Sequence, residues 1–229
     1  VEIDKYTAQN KILVAVDCII FGFDGKQMNA LLIKRDFEPE IGKWSLMGGF
    51  VMNRESTDQA ATRVLHQLTG LEDIYMEQLY CFGDVIRDTA GRVISVAYFA
   101  LINIHDYNNR IKQDHEARWF ALNALPSLIF DHQTMVMTAK ERLQQKVLNH
   151  PIGFELLPEK FTLPQLQSLY EAIYETTLDK RNFTRKILSL GILKKLEEKD
   201  KESSRKGAFY YIFDKEKYKK LEHEGINFL

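Results

Sequence analysis

Cysteine is scarce in this chain: of 229 residues only Cys18 and Cys81 are cysteine, both inside apolar, strand-like segments. No His or Cys stands near either at metal-ligand spacing, which excludes a zinc site and a disulfide framework and leaves two buried thiols in a reducing cytoplasm as the expectation. Long apolar runs are also missing. The first 30 residues carry no basic start followed by such a run, and the stretch from Ile12 to Phe23 is interrupted by Asp17 and has strand character. Neither secretion nor membrane insertion is therefore expected. Internal repeats and low-complexity tracts are absent as well. What is present is 45% hydrophobic residues over a length that suits two domains with ordinary cores.

Net charge is nearly absent too, at −1, yet the total hides an asymmetry. From 180 to 220 the chain has 14 Lys and Arg against 6 Asp and Glu, a difference of +8, whereas from 1 to 150 the count is 16 against 19, or −3. A basic C-terminal block on an acidic body points to a polyanion partner for that end, while the same charge also suits a solvated surface.

The first 104 or so residues read as strands and turns with one helix inserted. Leu13 to Gly22 and Ala30 to Lys34 form a hairpin around Phe23-Asp24-Gly25-Lys26; Trp44 to Phe50 leads into the helix; Leu79 to Ile86 and Val93 to Ile102 are two strands joined by Asp88-Thr89-Ala90-Gly91. Arg118-Trp119-Phe120 adds a short strand. A long helix is predicted from Asp131, as its cap, to Asn149, with Met135, Ala139, Leu143 and Val147 along one side. His150-Pro151 ends it, and the extended, aperiodic stretch to Lys160 is the candidate linker. The domains are therefore placed at 1–149 and 161–229, with 150–160 between them.

One spacing in the first domain carries chemistry. Gly49, Glu55, Arg63, Leu65, Gly70 and Leu71 make this stretch resemble the box of the Nudix pyrophosphohydrolases, a magnesium-holding pattern of Gly, five residues, Glu, seven residues, Arg-Glu-apolar-any-Glu-Glu-any-Gly-apolar. The three glutamates after the arginine are missing: Val64, Gln67 and Leu68 stand in their places. Those positions are spaced i, i+3 and i+4 and share one helix face, where carboxylates would hold magnesium. Two aliphatic side chains and an amide cannot replace three hard anionic ligands, so phosphoanhydride hydrolysis loses its charge neutralisation, and no metal or other cofactor is expected. The helix is still specified. Ser56 with Gln59 makes a capping box, Ala60, Ala61, Val64, Leu65 and Leu68 supply an apolar stripe, and Gly70 stops it.

Beyond the linker, Thr162 and Gln165 form a second capping-box pair, and Leu166, Leu169, Tyr170, Ile173 and Tyr174 lie at i, i+3, i+4, i+7 and i+8. A second helix runs from Asp179 to Leu190 and stops at Gly191. Ile192 to Glu197 and Phe209 to Phe213 are strands around the polar loop Glu198 to Gly207. Helix, turn, helix and basic hairpin are the order of a winged-helix DNA-binding module. Phe183, Ile187 and Leu190 point one way, leaving Arg181 and Arg185 beside Asn182 and Thr184 on the face a recognition helix would insert. Lys180 and Lys186 suit phosphate, and Arg205 and Lys206 sit at the wing tip. A solvated helix face and a charged edge hairpin would show the same residues.

The whole chain resembles the Nudix-related transcriptional regulators of the NrtR type, which include a sugar-responsive, AraR-like branch. Besides the box, the resemblance rests on Gly91-Arg92-Val93-Ile94-Ser95-Val96-Ala97-Tyr98, Leu125-Pro126 with Phe130-Asp131-His132, Phe161-Thr162-Leu163, and Leu178-Asp179-Lys180-Arg181-Asn182-Phe183. It implies an α/β (α+β) fold: a Nudix-like α/β/α sandwich followed by a winged helix. It also implies a cytoplasmic homodimer that reads a roughly palindromic operator in double-stranded DNA and releases or tightens it in response to a small molecule, ADP-ribose or a pentose such as arabinose. Val64 and Leu68 tilt the expectation toward the neutral sugar, although Lys34, Arg35 and Arg87 offer partners for phosphate. The effector pocket is expected near Arg35, Trp44, Gly48, Gly49, Phe50, Asp84, Arg87, Asp131 and His132. The competing reading is a divergent hydrolase acting on ADP-ribose or a sugar nucleotide, using Glu55 or Asp84 as ligands.

Overall fold

The computed structural model describes residues 7–72, 74–107, 116–149, 153–201 and 207–224. Its centre is β1 (Leu13–Phe23), an unbroken strand flanked by β2 (Met28–Lys34) on one side and β6 (Val93–Asn103) on the other. β1 and β6 run parallel in register from Leu13 opposite Val93 to Phe23 opposite Asn103. A parallel pair of that length is stable only with both faces covered. Val16, Cys18 and Ile20 pack under helix α1 (Thr57–Thr69) with Ala60, Ala61, Val64 and Leu65. Ile19, Phe21 and Phe23 point the other way, toward α3 (His132–Asn149) and its Met135, Val136, Ala139 and Leu143. The result is the expected α/β/α sandwich. β3 (Trp44–Ser45) and β7 (Arg118–Ala121) extend β2, β4 (Met47–Phe50) pairs with β1, and β5 (Glu77–Phe82) pairs with β6. A short helix α2 (Ile104–Tyr107) follows β6.

The second unit is helices α4 (Leu163–Tyr174) and α5 (Lys180–Ser189), then β9 (Leu193–Asp200), β10 (Ala208–Phe213) and α6 (Lys215–Glu224). β8 (Phe161–Thr162) completes a three-stranded sheet in the order β8-β10-β9. Both predicted capping boxes are formed: Ser56 and Thr162 each accept from the backbone N–H three residues on, while Gln59 and Gln165 return the bond. Gly70 and Gly191 take left-handed conformations at φ 75° and 67°, which end α1 and follow the last turn of α5.

Several sequence expectations need correction. β5 stops at Phe82 instead of Ile86, because the following residues form a turn in which Asp84 accepts from the Ile86 N–H at 3.0 Å. Cys81 is exposed, not buried: β5 lies at the sheet edge, and a register irregularity between Gln78 and Tyr80 turns Tyr80 and Cys81 both outward. β9 runs three residues beyond Glu197, and β8, α2 and α6 were not expected. The stretch 153–160 is not extended: Phe154–Leu156 forms a 3-10 turn whose Phe154, Leu156 and Leu157 are buried. His150, Pro151 and Ile152, and the wing-tip residues Arg205 and Lys206, lie outside the described residues.

The packed turn explains why the two units share a core. From Ile19 and Phe21 on the sheet, one apolar cluster continues through α3, Phe154 and Leu156 into Leu166, Leu169, Tyr170, Ile173, Phe183 and Ile187. Leu143 sits in the middle at 1% exposure. Leu143→Ala is expected to lower stability by about 2–5 kcal/mol, and calorimetry should show one cooperative transition for both units, shifted as a whole; two separate transitions would refute the shared core.

Candidate ligand pocket and nucleic-acid interface

Asp17 lies on the α3 face of β1, where its neighbours Ile19 and Phe21 are apolar. Around it, the turn after β5, the end of β2, β4 and the start of α3 enclose a cavity of about 50 Å³. Arg35, Gly49, Phe50, Arg87 and His132, all anticipated, line it together with Gly48; Asp17, Phe37, Asp88 and Phe130 line it unanticipated. Asp131 stands behind Arg87. Two anticipated residues are not brought in. Trp44 packs edge-on against Phe120, with ring centres 4.7 Å apart, and Asp84 is exposed in the turn it closes. Asp17 had a visible signal, a charge inside an apolar strand, whereas Phe37 and Phe130 are loop residues without periodicity. Phe130 does adopt a positive φ, 47°, just before the helix.

The charges are unequally committed. Arg87 is buried and gives Nε to Asp131 at 2.9 Å and Nη2 to its other oxygen at 2.7 Å, with Asp17 3.7 Å away. Burial alone would lower its pKa; the Asp131 bonds and the charges of Asp17 and Asp131 outweigh that and leave it raised. Arg35 gives only Nε, to the carbonyls of Phe37 and Pro39 at 3.1 and 2.6 Å, while its guanidinium lies 3.7 Å over the Phe37 ring. Burial lowers its pKa and the carboxylates of Asp88, Asp17, Asp36 and Glu40 oppose that. Among the described residues no carboxylate lies within ion-pair distance of Arg35. His132 is 3% exposed; its Nδ1 accepts from the Leu46 N–H at 3.1 Å, which puts the proton of the neutral ring on Nε2.

The degenerate box sits behind this pocket. Val64 is buried so closely under β4 that a Cβ on Gly49 would stand 2.7 Å from its Cγ2. Gln67 is exposed and Leu68 half-buried, and none of the three lines the cavity. Arg63 donates Nε and Nη2 to Glu55 at 2.8 and 2.5 Å and Nη2 also to the Phe50 carbonyl at 3.0 Å. Arg63 thereby draws the Glu55 pKa down to about 2 and ties the loop after β4 to α1. Among the described residues no group of three His, Cys, Asp or Glu converges as a metal cage.

The second site is α5. Asp179 caps it by accepting from the Asn182 N–H at 2.8 Å. Phe183 and Ile187 are buried, so Lys180, Arg181, Asn182 and Arg185 are turned to solvent, with Thr184 and Lys186 half-buried at the margins. Arg185 donates to the Asn182 side-chain oxygen at 2.9 Å. Among the described residues no carboxylate lies within ion-pair distance of Arg181 or Arg185, so both charges are available to an anionic partner. Lys195 and Lys199 on β9 both lie over the Phe209 ring, at 3.6 and 4.4 Å, and add positive charge that the sequence reading had not singled out.

Burial lowers the pKa of His132 from its ordinary value near 6.5, against the carboxylates of Asp17 and Asp131. The folded state therefore binds fewer protons than the unfolded one in the window just below pH 6.5. The contribution of His132 to stability is full above that pH and is lost as pH falls. Urea midpoints at pH 7.5 and 5.5 should differ more for the parent protein than for His132→Gln; equal differences would show that the ring does not titrate on unfolding.

Two separate families match the two parts of the chain. The NUDIX domain family matches residues 11–139, and the NrtR DNA-binding winged helix domain family matches 153–213. The ADPR-responsive transcriptional repressor NtrR of Acinetobacter baylyi is 34% identical over 210 residues, spanning 90% of this chain and 84% of that protein. The crystal structure of Shewanella oneidensis NrtR complexed with a 27mer DNA superposes with a TM-score of 0.81 at 30% identity, over 90% of this chain and 95% of that one. The Nudix domain of the same Shewanella protein, complexed with ADP ribose, is 29% identical over 62% of this chain and 99% of its own, with a TM-score of 0.51. With both domains matched and in the same order, this chain belongs to the NrtR-type transcriptional regulators, a Nudix fold joined to a C-terminal winged-helix DNA-binding domain.

Proposed function

We propose that this protein is a cytoplasmic repressor that holds operator DNA through α5 as a homodimer and is released by ADP-ribose bound in the Nudix domain, which no longer hydrolyses it. The observation that carries the first half is the exposed face of α5, where, among the described residues, no carboxylate lies within ion-pair distance of Arg181 or Arg185 on a helix fixed from behind by Phe183 and Ile187. Arginine there suits guanine and asparagine suits adenine in the major groove, with Lys180 and Lys186 suited to phosphate. The 27mer of the Shewanella complex supports a dimeric reading, since that length spans about two and a half turns of duplex.

Arg35 carries the second half. A guanidinium with no carboxylate partner among the described residues, at the mouth of a cavity, is a ready partner for a diphosphate, and the Shewanella Nudix domain and the Acinetobacter repressor both point to ADP-ribose. The tilt toward arabinose rested on Val64 and Leu68. Since neither lines the cavity, the absence of glutamates at those positions bears on metal binding and leaves phosphate recognition to Arg35. Glu55, engaged by Arg63, is a single carboxylate and is not placed to hold magnesium alone.

α3 supplies the connection. Its first residues, with Asp131 just before them, form the pocket wall. Two turns further on, Lys140 holds Glu175 at 2.7 Å, and Gln144 donates to the Ile173 carbonyl at 2.7 Å. Those partners end α4 and lead into the turn before α5.

Arg181→Ala and Arg185→Ala should each weaken operator binding by about 1–3 kcal/mol in fluorescence anisotropy, with a steep dependence on salt. Lys140→Met with Gln144→Leu should leave binding of DNA alone and of ADP-ribose alone near parent values and abolish the effect of one on the other. Incubation with ADP-ribose and magnesium or manganese should yield no AMP; turnover that disappears in Glu55→Gln would establish the hydrolase reading in its place.

A further inference from the structure

Asp17 serves Arg87 as a counter-charge through Oδ2, at 3.7 Å, which leaves its other oxygen, Oδ1, to be accounted for. The residue is 5% exposed on a strand otherwise apolar on that face. Oδ2 accepts from the Ser95 hydroxyl at 2.5 Å, and Arg87 is no nearer than 3.7 Å because its own bonds go to Asp131. Oδ1 has no hydrogen bond from a described residue, and His132 Nε2 stands 3.6 Å away. Gly48 keeps that oxygen open: a Cβ there would stand 2.3 Å from Oδ1. His132 is turned the same way, since Leu46 occupies Nδ1 and leaves the Nε2 proton facing the cavity.

A carboxylate oxygen and an imidazole N–H facing one cavity, too far apart to satisfy each other, fit a group that donates and accepts at once. A hydroxyl does both, donating to Oδ1 and accepting from Nε2–H. A phosphate has acceptors only and would meet the negative charge of Asp17. We propose that Asp17 and His132 form a hydroxyl-reading subsite that takes the terminal sugar ring of ADP-ribose, so that the protein selects its effector by that ring and not by the adenosine diphosphate alone. Arg35 lies at the other side of the cavity for the phosphates. The proposal rests on the reading of ADP-ribose as effector.

The test is isothermal titration calorimetry of the full-length protein with ADP-ribose and with ADP. The parent protein is expected to bind ADP-ribose at least about 10-fold more tightly than ADP, the range of a hydrogen bond to a charged group. Asp17→Asn, which keeps the shape and an acceptor for Ser95, should erase most of that ratio by weakening ADP-ribose while leaving ADP unchanged or tighter. An unchanged ratio, or equal loss for both ligands, would overturn the subsite while leaving ADP-ribose as effector. Binding of neither ligand by the parent protein would overturn the effector reading itself and the subsite with it. Should Asp17→Asn not fold, the parent protein with an ADP-ribose analogue lacking the terminal ring's 2- and 3-hydroxyls decides: affinity equal to that of ADP-ribose would overturn the subsite, and affinity falling to that of ADP would support it.

Discussion

The buried guanidinium of Arg87 holds the pocket together. Its side chain is 3% exposed, and a charge that far from water is tolerated only with its counter-ions in place. Asp131 supplies two bonds from just ahead of α3, and Asp17 supplies charge from the central strand. One arginine from a surface turn thus fixes the turn, the strand and the helix start relative to one another. Because its valence is taken up inside the protein, Arg87 shapes the cavity, whereas Arg35 has no carboxylate within ion-pair distance among the described residues.

The same logic explains how the helix of the Nudix box stays packed without glutamates at 64, 67 and 68. Val64 replaces a ligand position, yet it packs against Gly49 at a distance that admits no side chain there, so β4 and α1 remain in close contact. Arg63 still ties α1 to the loop after β4 through Glu55 and the Phe50 carbonyl. An apolar face needs no cation to screen it, so loss of the carboxylates removes a charge problem and leaves the packing of the sandwich intact.

Much of this was legible in the sequence because it is local. Both capping boxes, the α3 stripe of Met135, Ala139, Leu143 and Val147, and the α5 face opposite Phe183 and Ile187 follow from spacing alone. What spacing could not reveal was long-range. The Arg87 to Asp131 pair spans 44 positions and the Ser95 to Asp17 bond spans 78, so neither has a periodic signature. Cys81 was misplaced for a related reason: a strand pattern shows alternation, but a bulge opposite β6 resets it. Asp17 was visible as an interruption, yet only the assembled sheet shows that it faces a cavity.

The size of that cavity bears on how a ligand could be felt at the DNA. At about 50 Å³ it has room for a few water-sized groups, far below the roughly 300–1,000 Å³ of pockets that enclose ligands as large as a dinucleotide fragment. A ligand of that size would lie partly in the open mouth or displace part of the wall, of which the Phe37 loop and the turn that launches α3 lie outside the sheet. An equilibrium shifts only by the difference in a ligand's affinity for two states. Displacement of Phe37 alone would be absorbed at the surface. Displacement at Asp131 and His132 is carried along a helix whose buried face is continuous with the core of the winged helix and whose Lys140 and Gln144 grip the end of α4. If α5 holds DNA and a ligand in the pocket loosens that hold, as proposed, reciprocity requires DNA to weaken the ligand by the same factor. The shared core is thus the feature through which the pocket and α5, under that proposal, would respond as one thermodynamic unit instead of two tethered ones.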